Sequence, residues 1–196
     1  MKIINRSLLV SIVLLLLIST NVFLGQQLMD NNSNEIFSSN QAEGILVSTD
    51  NPFYSIISSP LACWYNDTNQ FLHPLLLVQD EHISKKQMEL LSAVKSMGNV
   101  VSIGVNPTNY VTTPFLGSPV TVSLQIAKTY FKQSDKAIIL PYNFSSEAYK
   151  IGLITSPLAS YLHMPILLYD TTLPNHQEII ETLKQMNIRT LYLMDC

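Results

Sequence analysis

Thr155-Ser156-Pro157-Leu158-Ala159, followed by Pro165-Ile166-Leu167-Leu168-Tyr169, decides the reading of this chain, because the pattern occurs twice. The earlier copy runs Ser58-Ser59-Pro60-Leu61-Ala62 and then Pro74-Leu75-Leu76-Leu77-Val78. Pro60 and Pro157 stand 97 residues apart. That spacing is longer than the short periods of helical and β-solenoid repeats, and it suits two copies of one α/β unit. A continuous aliphatic run behind a proline is the mark of a strand covered on both faces of a sheet.

Working outward, Ile45-Leu46-Val47 predicts a buried strand that opens the first unit, and residues 53–62 predict a helix or turn beneath the sheet. Ser84 is placed as an N-cap ahead of Met88, Leu91 and Met97 at helical spacing, with Gly98 where a helix ends. Residues 100–105 supply a further strand, broken by Asn106-Pro107. The second unit repeats the order. Residues 122–131 predict a helix capped by Ser118 with Pro119 in its first turn. Strands follow at 137–140 and 165–169, then a helix opened by Leu173-Pro174, then a last strand at 189–194. The expected fold is therefore α/β: two related βαβ-rich modules with mainly parallel sheets, preceded by an N-terminal hydrophobic segment. The spacing differs in one place. Eleven residues separate Ala62 from Pro74, and five separate Ala159 from Pro165. The extra residues fall around Trp64, Tyr65 and Asn66, where a surface loop is expected.

At 196 residues, with 47% hydrophobic and 13% charged side chains, the chain has enough apolar mass for a real core. A net charge of −3 with eleven scattered Lys and Arg lacks the clustered basic face that nucleic-acid backbones require, so nucleic acid is not an expected partner. Lys2 and Arg6 precede an apolar run over 8–18 that extends with polar interruptions to Leu24. Residues 1–25 thus read as a signal peptide or as an uncleaved membrane anchor, and both readings put the remainder outside the cytoplasm. Residues 26–41, rich in Asn, Ser and Gln, read as a polar linker. Modules are expected over 42–107 and 108–196. In an exported chain, Asn31, Asn66 and Asn143 are glycosylation candidates within Asn-x-Ser/Thr sequons. Cys63 and Cys196 are open to pairing or to remaining separate thiols, and their spacing carries no metal-site signal.

The quoted motifs resemble the cell wall-binding repeat type 2 family of exported bacterial and archaeal surface proteins. A repeat of that family joins a Ser-Pro-Leu-Ala segment to a Pro-Ile-Leu-Leu strand, then a helix introduced by Leu-Pro, then a strand ending in Gly-Gly. The second copy matches through Thr155-Ser156-Pro157-Leu158-Ala159, Met164-Pro165-Ile166-Leu167-Leu168, Leu173-Pro174 and Leu191-Tyr192-Leu193, and Gln125-Ile126-Ala127 resembles the helix that begins a repeat. Three places depart. The family's Asp-Ala-Leu is Ala148-Tyr149-Lys150 in one copy and Tyr54-Ser55-Ile56 in the other, and Asp195-Cys196 replaces Gly-Gly, so the second copy reads as truncated. The resemblance implies non-catalytic attachment to a cell-wall or envelope polymer or a surface layer, with no cofactor. The N-terminal segment, if uncleaved, brings contact with the membrane, and a homo-oligomer is a further expectation.

Side chains that suggest chemistry are few. Asp80 and Asp170 each follow an aliphatic strand, at the carboxyl edge where open α/β sheets bind ligands. They are the candidates for an alternative reading, an exported small-molecule-binding protein or envelope hydrolase, although an Asp in that place also serves to cap a turn. Tyr54, Trp64, Tyr65, Tyr142 and Tyr149 are candidates for stacking on sugar rings, Trp64 and Tyr65 foremost. His73 and His163 occupy similar places just before the repeated prolines. The serines before those prolines lack the Gly-x-Ser-x-Gly setting of a nucleophile, and no phosphate-binding glycine loop or zinc-protease motif occurs.

Overall fold

The computed structural model describes residues 42–66, 69–93, 99–143, 145–172 and 176–194. Residues 39–196 form a compact unit of their own. The expected export segment, the linker, Asn31, Gly98, Leu173-Pro174 and Cys196 lie outside the described residues. Among those described, no helix is long and apolar enough to cross a membrane.

The fold is α/β with mainly parallel sheets. The first sheet contains β1 (Gly44–Ser48), β4 (Leu75–Val78), β5 (Val100–Ile103) and β6 (Thr113–Phe115), all parallel, in the order β4-β1-β5-β6. The other parallel sheet contains β7 (Lys136–Tyr142), β8 (Ile166–Asp170) and β9 (Thr190–Leu193), in the order β8-β7-β9. In both, the first strand in sequence lies between the second and the third. Both begin their ladder the same way, with the Ile45 N–H donating to the Pro74 carbonyl and the Ile138 N–H to the Pro165 carbonyl. Helix α1 (Phe53–Ala62) leaves β1, and helix α4 (Ser146–Tyr161) leaves β7. Helix α2 (Lys85–Ala93) joins β4 to β5, α3 (Pro119–Tyr130) precedes β7, and α5 (His176–Gln185) joins β8 to β9.

Local signals explain the helix starts. Ser84 and Gln87 bond reciprocally as a capping box, the Ser84 hydroxyl accepting from the Gln87 N–H and the side-chain Oε1 of Gln87 accepting from the Ser84 N–H. Ser118 caps α3 ahead of Pro119, and Ser145 caps α4 by accepting from the Ala148 N–H. The repeated Ser/Thr-x-Pro segment lies inside α1 and α4. A proline there removes one helical hydrogen bond and pushes on the preceding turn. Two residues earlier, the Ser58 hydroxyl donates to the Tyr54 carbonyl at 2.7 Å, and the Thr155 hydroxyl donates to the Ile151 carbonyl at 2.7 Å. Both hydroxyls are thereby satisfied in the buried interior.

Strand alternation sets the core. Ile45 and Val47 join a large cluster that also takes in α1, α3, α4, β7 and β8. Leu46, on the opposite face of β1, packs with Val78, Ile83, Leu91, Val100 and Val105 beneath α2. Strand β4 departs from the expected cover on both faces. Leu75 and Leu76 are half-buried and Leu77 is exposed, whereas Ile166, Leu167 and Leu168 of β8, also an edge strand, are buried under α1, α3 and α5. The Ser123 hydroxyl of α3 also accepts from the Leu168 N–H at 3.1 Å.

Two further elements lie outside the sequence expectations. Strand β6 joins the first sheet beyond residue 107. The residues expected as a surface loop form an antiparallel hairpin, β2 (Cys63–Asn66) against β3 (Asn69–Leu72).

Candidate functional site

The five aromatic candidates separate into two clusters. The first lies at the carboxyl ends of β1 and β7, the central strands of the two sheets. At the start of α1 the side-chain oxygen of Asn51 accepts from the Phe53 N–H, and its side-chain nitrogen donates to the Tyr142 hydroxyl at 3.1 Å. The Phe53 ring packs edge-on against Tyr142 at 5.0 Å and against Tyr149 at 6.1 Å. Tyr54 lies over Gly104, whose φ of +71° and lack of a Cβ admit the ring; a Cβ there would stand 2.5 Å from it. The Tyr54 hydroxyl donates to the Gly117 carbonyl at 2.6 Å. Burial pushes the Tyr54 phenol up, and the neighbouring Tyr142 and Asp50 add to the effect. Tyr54 and Tyr142 are buried, so they serve as packing groups and offer no ring face to a sugar.

The second cluster centres on the hairpin. Trp64 is buried at 5% exposure, against the expected surface position. Its indole is stacked by Phe71 at 5.0 Å, by His73 at 5.0 Å and by His163 at 4.9 Å. The two pre-proline histidines, one from each half, therefore meet on a single tryptophan. His163 also packs edge-on against Phe131 at the end of α3. Its backbone takes a φ of 47°, in the left-handed region. Burial holds the His163 imidazole down at about 4 and also lowers His73, which the backbone and carboxylate of Glu43 partly offset. Nε2 of His73 is buried without a hydrogen-bond partner among the described residues. Both rings are thus held neutral by their surroundings.

On the outer side of this cluster, Tyr65 and Tyr161 form an open pair with ring centroids 5.3 Å apart and planes tilted by 51°. Both are exposed, as is Leu72 on the neighbouring strand. Tyr161 was not among the sequence candidates. Its signal was the apolar stripe Ile154, Leu158, Tyr161 at helical spacing along α4.

The carboxylates stay apart, on the outer strands of different sheets. Asp80 sits in an exposed turn after β4 with a φ of 56°. Asp170 ends β8 and accepts from the Thr172 N–H and from the Thr172 hydroxyl, each at 2.7 Å, the arrangement of a turn cap. The Asn143 side chain is occupied in the same way, accepting from the Ser145 N–H ahead of α4. Asn66 lies at the end of β2. Cys63 is half-buried and unpaired among the described residues. Among the same residues, no three His, Cys, Asp or Glu side chains gather to hold a metal ion.

No protein-family model, no curated protein and no solved structure matches the chain.

Proposed function

We propose that this chain is a non-catalytic, extracytoplasmic attachment protein whose two related α/β modules hold a cell-wall or envelope polymer. Duplication is supported by hydrogen bonds that recur at matching places. The Ala62 carbonyl accepts from the His73 N–H at 2.7 Å, and the Ala159 carbonyl accepts from the Met164 N–H at 2.9 Å. In each half that bond ties the proline-bearing helix to the residue before the Pro-aliphatic strand. The observation that carries the binding reading is the exposed Tyr65–Tyr161 pair. Tyrosine offers a rigid apolar face with a polar rim, suited to the C–H face and hydroxyl edge of a sugar ring. Tyr65 stands on the hairpin that only the first half carries, and Tyr161 meets it from the end of α4. The alternative built on Asp80 and Asp170 has less support, since Asp170 is engaged in a turn and the two carboxylates belong to different sheets.

The test is co-sedimentation of residues 39–196 with isolated cell envelopes at low salt, beside a control spun without envelopes. The parent protein is expected in the pellet only when envelopes are present, and the Tyr65→Ala/Tyr161→Ala variant in the supernatant. Parent protein that stays in the supernatant with envelopes present would sink the attachment reading. A small ligand that raises the melting temperature saturably would favour the alternative.

A further inference from the structure

Helices α1 and α4 carry the same motif in the same register, so their surroundings can be compared residue by residue. Shifting by the 97-residue period pairs Ile56 with Leu153, Ile57 with Ile154 and Leu61 with Leu158. In α1 these side chains are 2%, 1% and 4% exposed; in α4 they are 50%, 78% and 39% exposed. The motif is the same, and the difference lies in what covers it. Helix α1 is seated on α4, with further contact to α3 and β8. Gly152 marks the seat, since a Cβ there would stand 2.5 Å from Cδ1 of Ile56.

Among the described residues, the face of α4 that corresponds to the covered face of α1 has no such neighbour. It is apolar along its length, as Leu153, Ile154, Pro157, Leu158 and Leu162 are all exposed. Helix α1 and strand β4 show the complementary surface. Gly152, the seat on α4, corresponds to Ser55 on α1, and Ser55 and Ser59 are only half-buried. Leu77 of the adjacent sheet's edge strand is 54% exposed, where Leu168, its counterpart in β8, is fully buried. One half thus leaves its apolar helix face open, and the other leaves open the surface on which such a face sits.

We propose that the open face of α4 docks on the α1–β4 side of a second copy of this chain. That contact repeats between chains the one α1 makes with α4 inside a chain. Such a contact uses two different surfaces, so it does not close as a two-fold dimer; it extends into a ring or a filament. The inference rests on the duplicated-module part of the proposed function.

The test uses the full chain in a mild non-ionic detergent, with Cys63→Ser and Cys196→Ser as background. Chains carrying Leu153→Cys are mixed with chains carrying Ser55→Cys and oxidised. A disulfide between the two kinds of chain is expected, with few dimers of either alone. Ile154→Asp, at a site exposed enough to leave the fold intact, is expected to lower the cross-linked yield about tenfold. Mostly 153–153 dimers, no disulfide above background, or a yield unmoved by Ile154→Asp would each overturn the proposal. An Ile154→Asp effect on binding to phospholipid vesicles alone would instead assign the face to a membrane surface and overturn it too. Loss of cross-linking with envelope sedimentation retained removes only this inference. Cross-linking without sedimentation removes only the polymer-binding reading.

Discussion

The two joints between a proline-bearing helix and its following strand reach the same end by different routes. After α4 the chain turns back within a few residues, through His163 in a left-handed conformation. After α1 it makes a ten-residue excursion, the β2–β3 hairpin spanning residues 63–72, before rejoining the sheet. Both close on one hydrogen bond, from the residue before the proline to the last alanine of the motif. An insertion whose ends already lie together adds little loop-closure cost, so the joint accepts it. The hairpin is then anchored by Trp64, which reaches across to His163 of the other joint. The hairpin thereby acts as a clasp between the two joints.

Removing that clasp should have the largest effect. Trp64→Ala deletes a buried indole stacked on three rings, and is expected to cost about 3–5 kcal/mol in urea unfolding. A cost below about 1 kcal/mol would mean that the hairpin is an appendage rather than a clasp. If α1 against α4 is the other bond between the halves, Gly152→Leu should cost about 3 kcal/mol. It forces side-chain atoms into Ile56 and, at 3.3 Å from the Cβ, into Leu140. Melting of the two halves in separate steps in this variant would show that this interface couples them.

Acid should act on the clasp next. The folded pKa of His163 is about 4, below that of an unfolded histidine near 6.5. The unfolded chain therefore binds more protons between those values. The contribution of the neutral ring is fully present above about pH 6.5 and is lost as pH falls towards 4. His73 shifts in the same direction. The loss expected between pH 7 and 4.5 is on the order of 2 kcal/mol for His163, after allowing for the solvent that reaches the ring. His163→Asn, which tolerates the left-handed backbone, should flatten this part of the stability profile. An unchanged profile would place the acid sensitivity elsewhere. The smallest effect on stability belongs to the outer pair. Tyr65→Ala/Tyr161→Ala should shift unfolding by less than about 0.5 kcal/mol per site, as for exposed side chains in general, while removing the protein from the envelope pellet.

Much of the fold was legible in the sequence, because its signals are local. Short continuous aliphatic runs marked β1, β4, β5, β7 and β8. Ser84 and Ser118 precede helices whose first N–H groups they satisfy. The hairpin was missed because its residues, Cys63-Trp64-Tyr65-Asn66 and Asn69-Gln70-Phe71-Leu72, lack a clear alternation and are short. Strand β6 was missed because it has three residues, one of them proline, and is held only by β5 at the sheet edge. Site residues were harder to place. Among five aromatic candidates, composition alone did not separate the buried Trp64, Tyr54 and Tyr142 from the exposed Tyr65. That distinction depends on partners far away in sequence, such as Gly104 for Tyr54 and His163 for Trp64.

By itself, the sequence determined the alternation of strands and helices, the repeated proline-bearing segment, and the parallel pairing that such an order imposes. These follow from backbone stereochemistry and from hydrophobic periodicity over a few residues. Tertiary structure alone decided which copy of the motif would be enclosed. Ile57 and Ile154 occupy the same place in the same pattern, yet one is 1% exposed and the other 78%. Burial is a property of neighbours, and the neighbour that covers α1 is the other half of the chain.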